Sequence, residues 1–310
     1  MVQCTTIIPT IGRDTLARTV ESALAQELDP ETYEIIVINN SGKPLPAADW
    51  QRSPRVQIVT TNQAGRAIGS NVGAALARGK YLHFLHDDDF LYPGAIKALL
   101  EATEKGDYVW IYGGLQRLDN DGNYLSDDVP DIEGNVLATL LAGDCVHLCV
   151  SLIRRDVFMA IGGFDPSIKT CDDWAIEWQL ALRGDFGRTP HLVAGIRVGA
   201  VGSTNDWTLA KAEKRSIRER AMGTRGVFQR AASSMTDDHF AHGRLARAYI
   251  FSAGLNMLGR HPIIAMSRLV DAGRIARHRL LAPDFYSGLR FDLRRTDPQT
   301  RRAYQELKPV

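Results

Sequence analysis

The chain has 310 residues, 45% of them apolar and 24% charged, the proportions of an ordinary globular protein able to bury a sizeable core in one large or two modest domains. No uninterrupted apolar stretch approaches the roughly 20 residues that a membrane span needs, and the chain opens directly on a strand rather than on a basic and apolar leader. The net charge of +1 conceals an asymmetry: residues 1–205 hold 17 Lys+Arg against 26 Asp+Glu, and residues 206–310 hold 20 against 10. The two stretches therefore face different partners or each other, and the natural domain cut lies between 205 and 206. Cys4, Cys145, Cys149 and Cys171 form no CxxC pair and have no metal-site spacing, which reads as reduced thiols in a cytoplasmic protein.

In chain order, Gln3-Cys-Thr-Thr-Ile-Ile-Pro9 is a short β-rich run stopped by proline. After the loop Thr10–Asp14, a helix over 15–26 places Leu16, Val20, Ala23 and Leu24 on one face. A second strand over 33–38 is almost wholly apolar, hence buried on both faces, and ends in the turn-prone Asn39-Asn40-Ser41-Gly42. Residues 56–60 form a third strand. A Gly-rich loop from Asn62 then leads into a helix from about Asn71 to Ala77; it matches neither a P-loop nor GxGxxG. The strand Tyr81–Leu85 runs straight into His86 and three consecutive carboxylates, Asp87, Asp88 and Asp89. Strands alternating with helices predict a mostly parallel sheet with helices on both faces. Ligands of such sheets bind beyond the carboxyl ends of the strands, so Asn39-Asn40, the 65–71 loop and Asp87–Asp89 should share one rim.

Three like charges at the end of a buried strand repel one another and resist desolvation. A hard divalent cation, Mg²⁺ or Mn²⁺, carrying a polyphosphate offsets both; a solvated acidic loop is the alternative. Further on, Asp172 and Asp173 are adjacent, so on a helix they point to different faces and only one can meet a substrate. Cys171 and Trp174 would make that pocket partly apolar. Capping of a helix over 173–183 is the other reading, and capping by Asp172 is compatible with catalysis by Asp173. Asp119-Asn-Asp-Gly-Asn123 reads as a hairpin turn.

Residues 206–310 read as helices over 209–221, 244–258 and 262–280. In the last, Ile263, Met266, Leu269, Val270 and Ile275 lie at helical spacing beside Arg268, Arg274, Arg277 and Arg279. Apolar stripes of this kind are usually core. They favour packing on the acidic domain, or a homodimer through these helices, over peripheral contact with an anionic membrane. The arginines are spread rather than interleaved with aromatics, which speaks against nucleic acid.

The order Ile7-Ile-Pro-Thr10, a strand ending in a polar pair plus Ser, Asn62-x-x-Gly65, Asn71, Ala77-x-Gly79-x-Tyr81 and Leu85-His-Asp-Asp-Asp89 resembles inverting family 2 glycosyltransferases of the GT-A fold. Arg154–Phe158, Gly162–Asp165 and Asp172–Trp174 look like that family's acceptor-side segments, so the resemblance covers about residues 3–205. It implies an α/β, Rossmann-like GT-A catalytic domain over 1–205 and leaves a basic α-helical domain over 206–310. The implied reaction moves a sugar from a nucleotide diphosphosugar to a hydroxyl of a glycan, a lipid-linked glycan or a small molecule, with Mg²⁺ or Mn²⁺ as cofactor. A UDP-sugar is the first choice of donor, a GDP- or dTDP-sugar the next. The implied location is cytoplasmic, or peripheral at the inner face of the membrane.

Carried over position by position, the resemblance implies Asp88 and Asp89 at the metal and Asp173 as catalytic base with Asp172 beside it. Pro9, Thr10, Asn39, Asn40, Arg66, Asn71, Asp87 and Asp88 would face the donor nucleotide; His147, Gly162, Gly163 and Trp174 would lie on the acceptor side. The chain departs from the family's pattern in three places: Asn39-Asn40 replaces an acidic pair, Ser70 stands where an arginine is common, and Gly199–Ser203 lacks a third-ligand histidine. His86 also stands where many members have the first aspartate. A catalytically silent nucleotide-sugar or glycan-binding module is the reading from another class. A nucleotidyltransferase is disfavoured because no basic GxG signature opens the chain.

Overall fold

The computed structural model describes residues 1–119, 121–129, 132–197, 207–233, 239–277 and 279–290. The first half of the chain runs β1 (Cys4–Thr10), α1 (Leu16–Leu24), β2 (Tyr33–Asn39), β3 (Val56–Thr60), α2 (Arg66–Leu76), β4 (Tyr81–Phe84), β5 (Phe90–Leu91), α3 (Ala95–Thr103), β6 (Tyr108–Leu118) and β7 (Tyr124–Asp128). It continues through α4 (Leu137–Ala142), β8 (Ser151–Arg154), α5 (Arg155–Ala160), α6 (Asp172–Ala181) and β9 (Asp185–Arg197). The remaining helices are α7 (Trp207–Gly223), α8 (Val227–Ser233), α9 (His239–Leu258), α10 (Pro262–Ala276) and α11 (Pro283–Arg290).

Two compact units result. One comprises Met1–Gly134 and Cys145–Ile217; the other comprises Asn135–Asp144 and the described residues from Arg218 onward. The division assigns α4 to the second unit and falls within α7. A cut at 205/206 lies instead among residues outside the described set. Charge balance could not foresee that α4 belongs with later helices, where Arg244 of α9 grips Asp144 through two bonds of 2.7 and 2.6 Å.

The first unit is built on one sheet of order β3-β2-β1-β4-β8-β6-β9-β5, with β7 paired to β6. β1 to β4 are mutually parallel, as the alternation of strands and helices predicts. Beyond β4 the sheet is mixed: β8 is antiparallel to both neighbours, β6 and β9 are parallel, and β5 runs antiparallel to β9. Every residue of β1 and β2 is buried: their apolar residues fill both faces, and the buried Thr5 Oγ1 donates to Glu34 Oε1 at 2.7 Å. Cys4, Ile8, Tyr33, Ile35 and Val37 meet Leu16, Val20 and Ala23 of α1 on one face. Ile7 and Ile38 meet α2 on the other, where a Cβ at Gly73 would collide with Ile7.

Pro9 does not end β1, which continues to Thr10 alongside Asn39. The Ile7 carbonyl accepts from Leu85 N on the β4 side, and Pro9, two residues on, faces the same way after β4 has ended, so its missing N–H leaves no ladder bond unmade. Beneath the rim, β4 carries a fully buried histidine. His83 Nε2 lies 2.9 Å from the Cys149 carbonyl and therefore donates; Nδ1, 3.1 Å from Thr6 Oγ1, then accepts, and Thr6 Oγ1 is in turn 2.8 Å from Tyr33 Oη. Burial pulls the His83 pKa down to about 4.

In the second unit, α10 buries Ala265, Arg268, Ala272 and Ile275, a seam of spacing three-four-three. Of the apolar stripe read from the sequence only Ile275 is core; Ile263, Ile264, Met266, Leu269 and Val270 are exposed. Arg268 is not a flanking charge either, since it is buried and donates 2.7 Å to the Met222 carbonyl. Small residues let α9 and α10 approach along the alanine side, which leaves the larger aliphatics outward.

Candidate functional site

β4 ends at Phe84 and β5 begins at Phe90, and His86–Asp89 turn between them at the carboxyl end of the parallel strands. Hydroxyls of the preceding βα unit fix this turn. Thr10 Oγ1 donates to Asp87 Oδ2 at 2.7 Å, Thr15 Oγ1 to the Asp87 carbonyl at 2.6 Å, and Thr19 Oγ1 to the Asp89 carbonyl at 2.7 Å. Arg13 answers the repulsion among the carboxylates: it bonds Asp88 Oδ2 through Nη1 and brings Nε to 3.5 Å from Asp87 Oδ1. Arg13 belongs to no motif; its one signal in the sequence is its place in the loop directly after β1.

One ligand atom each from His86, Asp88 and Asp89 lies within 4.8 Å of the others. Two carboxylates and an imidazole suit Mn²⁺ and, through the carboxylates, Mg²⁺. Asp87 is turned from that set towards Thr10. His86 joins it, although the sequence pattern gave its position to an aspartate. Burial lowers the His86 pKa, but its hydrogen bond to Asp89 and the charges of Asp89 and Asp88 leave it raised.

Helix α2 starts at Arg66, earlier than the Asn71 expected, because glycines that weaken the local propensity make room for tertiary contacts. A Cβ at Gly69 would stand 2.5 Å from Asn40 Nδ2. Asn40 fastens the end of β2 to this helix through Gly65 O at 2.8 Å, while Asn39 folds its own turn by bonding Lys43 O at 2.7 Å. The Arg66 guanidinium grips Asp172 through Nη2 and through Nε at 3.2 Å, and its Nη1 lies 3.4 Å from His86 Nε2. Arginine only donates, so His86 Nε2 accepts; Nδ1, 3.4 Å from Asp89 Oδ2, then carries the proton and would have to give it up to ligate a metal.

Asp172 does not cap α6: the N-cap position is Cys171, and Asp172 is spent on Arg66. Asp173, half-buried on another side of the helix, accepts from its neighbour Trp174 N at 2.8 Å through Oδ1. The buried Cys149 thiol registers how closely the acids gather, being pushed up by burial and then by the charges of Asp89, Asp173 and Asp88. The lead into α6 is held by Glu213 of α7, a residue no motif marked. It accepts from Lys169 N at 2.7 Å, Thr170 N at 2.8 Å, Thr170 Oγ1 at 2.6 Å and Cys171 N at 3.2 Å. Burial would raise the Glu213 carboxyl; these bonds outweigh it and hold it low.

Asn71 and Gly163 form a single joint. The Asn71 amide donates to Phe164 O at 2.8 Å and accepts from Phe164 N at 2.9 Å, so it clamps the Gly162-Gly163 turn to α2. Both glycines have positive φ, and a Cβ on Gly163 would stand 2.5 Å from Asn71 Oδ1. His147, partly exposed, has Nε2 3.3 Å from Arg117 Nη2 and 4.0 Å from Asp128 Oδ2. Burial and Arg117 lower its pKa against the opposing charges of Asp173 and Asp128. Trp174 is buried, with Lys214 Nζ 5.7 Å from the centre of its ring. Gly199–Ser203 lie outside the described residues.

The model of "Glycosyl transferase family 2" matches residues 5–162, which takes in β1 through α5 and the whole acidic turn. The chain belongs to family 2. Within the family, it is 25% identical over 192 residues to an uncharacterized glycosyltransferase of Haemophilus influenzae, covering 60% of this chain and 64% of that one. It is 25% identical over 178 residues to a chondroitin synthase of Escherichia coli, covering 55% of this chain and 25% of that one. The aligned part thus spans less than two thirds of either relative. Among solved structures, S. aureus TarS 1-349 in complex with UDP-GlcNAc superposes over 94% of both chains with a TM-score of 0.59 at 13% identity, a likeness of fold that includes the helical end.

Proposed function

We propose that this family 2 chain transfers a sugar from a nucleotide diphosphosugar to a hydroxyl group with inversion, holding the diphosphate at the His86–Asp89 turn and activating the acceptor with Asp173. The observation that supports this best is Arg66, whose one guanidinium touches His86 of the metal-competent set and Asp172 beside the base. Donor and acceptor chemistry therefore lie within one side chain's reach. A UDP-sugar is the first donor to test, since the TarS structure with the same fold holds UDP-GlcNAc. Asn39-Asn40 in place of an acidic pair keeps GDP- and dTDP-sugars in the panel. A glycan or lipid-linked glycan is the first acceptor to test, in keeping with the chondroitin synthase relative.

In this reading Asp173 Oδ1 stays on the Trp174 amide and Oδ2 takes the proton of the acceptor hydroxyl. The acceptor oxygen attacks the anomeric carbon while the bond to the diphosphate breaks on the opposite face, so configuration inverts. Mg²⁺ or Mn²⁺ held by His86, Asp88 and Asp89 would supply charge neutralisation for the leaving diphosphate. Arg66, anchored to Asp172, adds positive charge on the same side. Asn71 keeps the Gly162-Gly163 turn in place under the acceptor. The test is thermal shift with UDP, GDP and dTDP, with and without Mn²⁺, followed by donor turnover in Asp173→Asn. Mn²⁺-dependent stabilisation is expected with at least one nucleotide. The variant should keep donor affinity while kcat falls by about 10²–10⁴. Donor affinity that collapses together with kcat would remove Asp173 from the base position.

A further inference from the structure

We infer that the tip of the α9–α10 hairpin docks on an anionic lipid surface. The hairpin closes through Gly259-Arg260-His261, with Arg260 N donating to Met257 O at 3.1 Å and His261 N to Asn256 O at 2.8 Å. Leu258 and Ile263 are thereby forced onto the end of the hairpin, 83% and 86% exposed. Phe251, Met257 and Met266 extend the apolar surface back along both helices, each more than half exposed. The helices' own packing does not need these side chains, since the seam of α10 is filled by Ala265, Arg268, Ala272 and Ile275. Large aliphatics gathered on an exposed helix end mark a contact surface rather than scattered solvent exposure.

Charge selects the occupant. Of the six arginines in 239–277, Arg244 is bound to Asp144, Arg268 is buried and Arg274 pairs at 3.5 Å with Asp271, the one acid of the stretch. Arg260, at the turn itself, is exposed; Arg277 is exposed too but follows the last residue of α10, about 22 Å from the turn. A second copy meeting the turn symmetrically would bring Arg260 of one copy towards Arg260 of the other. An anionic membrane takes both components, with aliphatics entering the acyl boundary and guanidinium groups staying among headgroup phosphates. The contact is peripheral: among the described residues no helix is long and apolar enough to cross a membrane.

Flotation of the full chain with phosphatidylcholine vesicles, with and without phosphatidylglycerol, tests this at about 0.15 M salt. Binding is expected only to the anionic vesicles. Leu258→Asp combined with Ile263→Asp should abolish it at unchanged helix content by circular dichroism. Arg260→Gln should weaken partitioning about fivefold, the equivalent of roughly 1 kcal/mol for a basic residue near an anionic surface, whereas Arg277→Gln, far from the turn, should leave it unchanged. Nucleotide binding should be the same in all variants, so the result stands apart from the donor chemistry. Absence of flotation overturns the inference. If sedimentation velocity then shows a dimer that the Leu258/Ile263 pair of substitutions splits, a second copy is the occupant; equal binding to neutral vesicles would overturn the role given to the arginines.

Discussion

The Arg66–Asp172 pair makes an asymmetric prediction. Its two side chains are unequally placed, Arg66 31% exposed and Asp172 only 6%. Arg66→Met leaves a carboxylate nearly sealed from water without its cation, which costs about 3 kcal/mol. Asp172→Asn leaves a guanidinium that can turn to solvent and still feels Asp173 and Asp88, a loss of about 1 kcal/mol. With both replaced no ion is stranded and the cost is about 2 kcal/mol, so the singles exceed the double by a coupling of about 2 kcal/mol. Urea unfolding followed by tryptophan fluorescence measures all three, with buried Trp174 two residues from the pair as a local reporter. If Asp172→Asn costs as much as Arg66→Met, or if the single costs simply add, the pair is not the anchor of α6. The same outcome would reopen Asp172 as a candidate base.

Asp88→Asn and Asp89→Asn should each lose Mn²⁺-dependent nucleotide binding in isothermal titration; undiminished binding in both would place the metal elsewhere. His83, at about 4 when folded against about 6.5 unfolded, stays neutral in the native state while the unfolded chain takes up a proton. Stability should therefore rise between pH 4 and 6.5 by about 3 kcal/mol from this residue. His83→Gln should flatten that part of the urea-derived profile, and parallel profiles for the two proteins would remove His83 as its source. Gly163→Ala, at φ +73 and facing Asn71, should lower stability by about 2 kcal/mol and raise the acceptor KM more than the donor KM. An unchanged melting temperature would mean that the joint yields freely.

The parallel part of the fold was legible because β1, β2 and β4 are buried along their whole length, and because β3, an edge strand with no fully buried residue, still reads as β-branched residues between turn signals and matches its expected span, Val56–Thr60, residue for residue. Helix α2 was read too short because Gly69 and Gly73 argue against a helix locally, and only Asn40 and Ile7 across the interface explain them. Within the site, the acidic turn announced itself through three adjacent carboxylates. Arg13 and Glu213 did not, since single charges in a loop and on a helix look like any solvated residue until folding brings them to a partner. The Arg66–Asp172 pair joins residues 106 apart in sequence, beyond the reach of any spacing rule. On α10, helical period correctly gave a helix, but the period alone could not say which of two stripes faces inward.

Glu213 limits how this protein can be divided. The charge balance changes sign after 205, which invites a catalytic fragment excised at that point. Any such fragment would lack the carboxylate that gathers the amides of Lys169, Thr170 and Cys171. Those amides lead directly into Asp172 and Asp173, so the excision would unpin the start of α6 while leaving every motif intact. A shortened version made for crystallisation or engineering must keep α7 through Ile217, where the first compact unit ends.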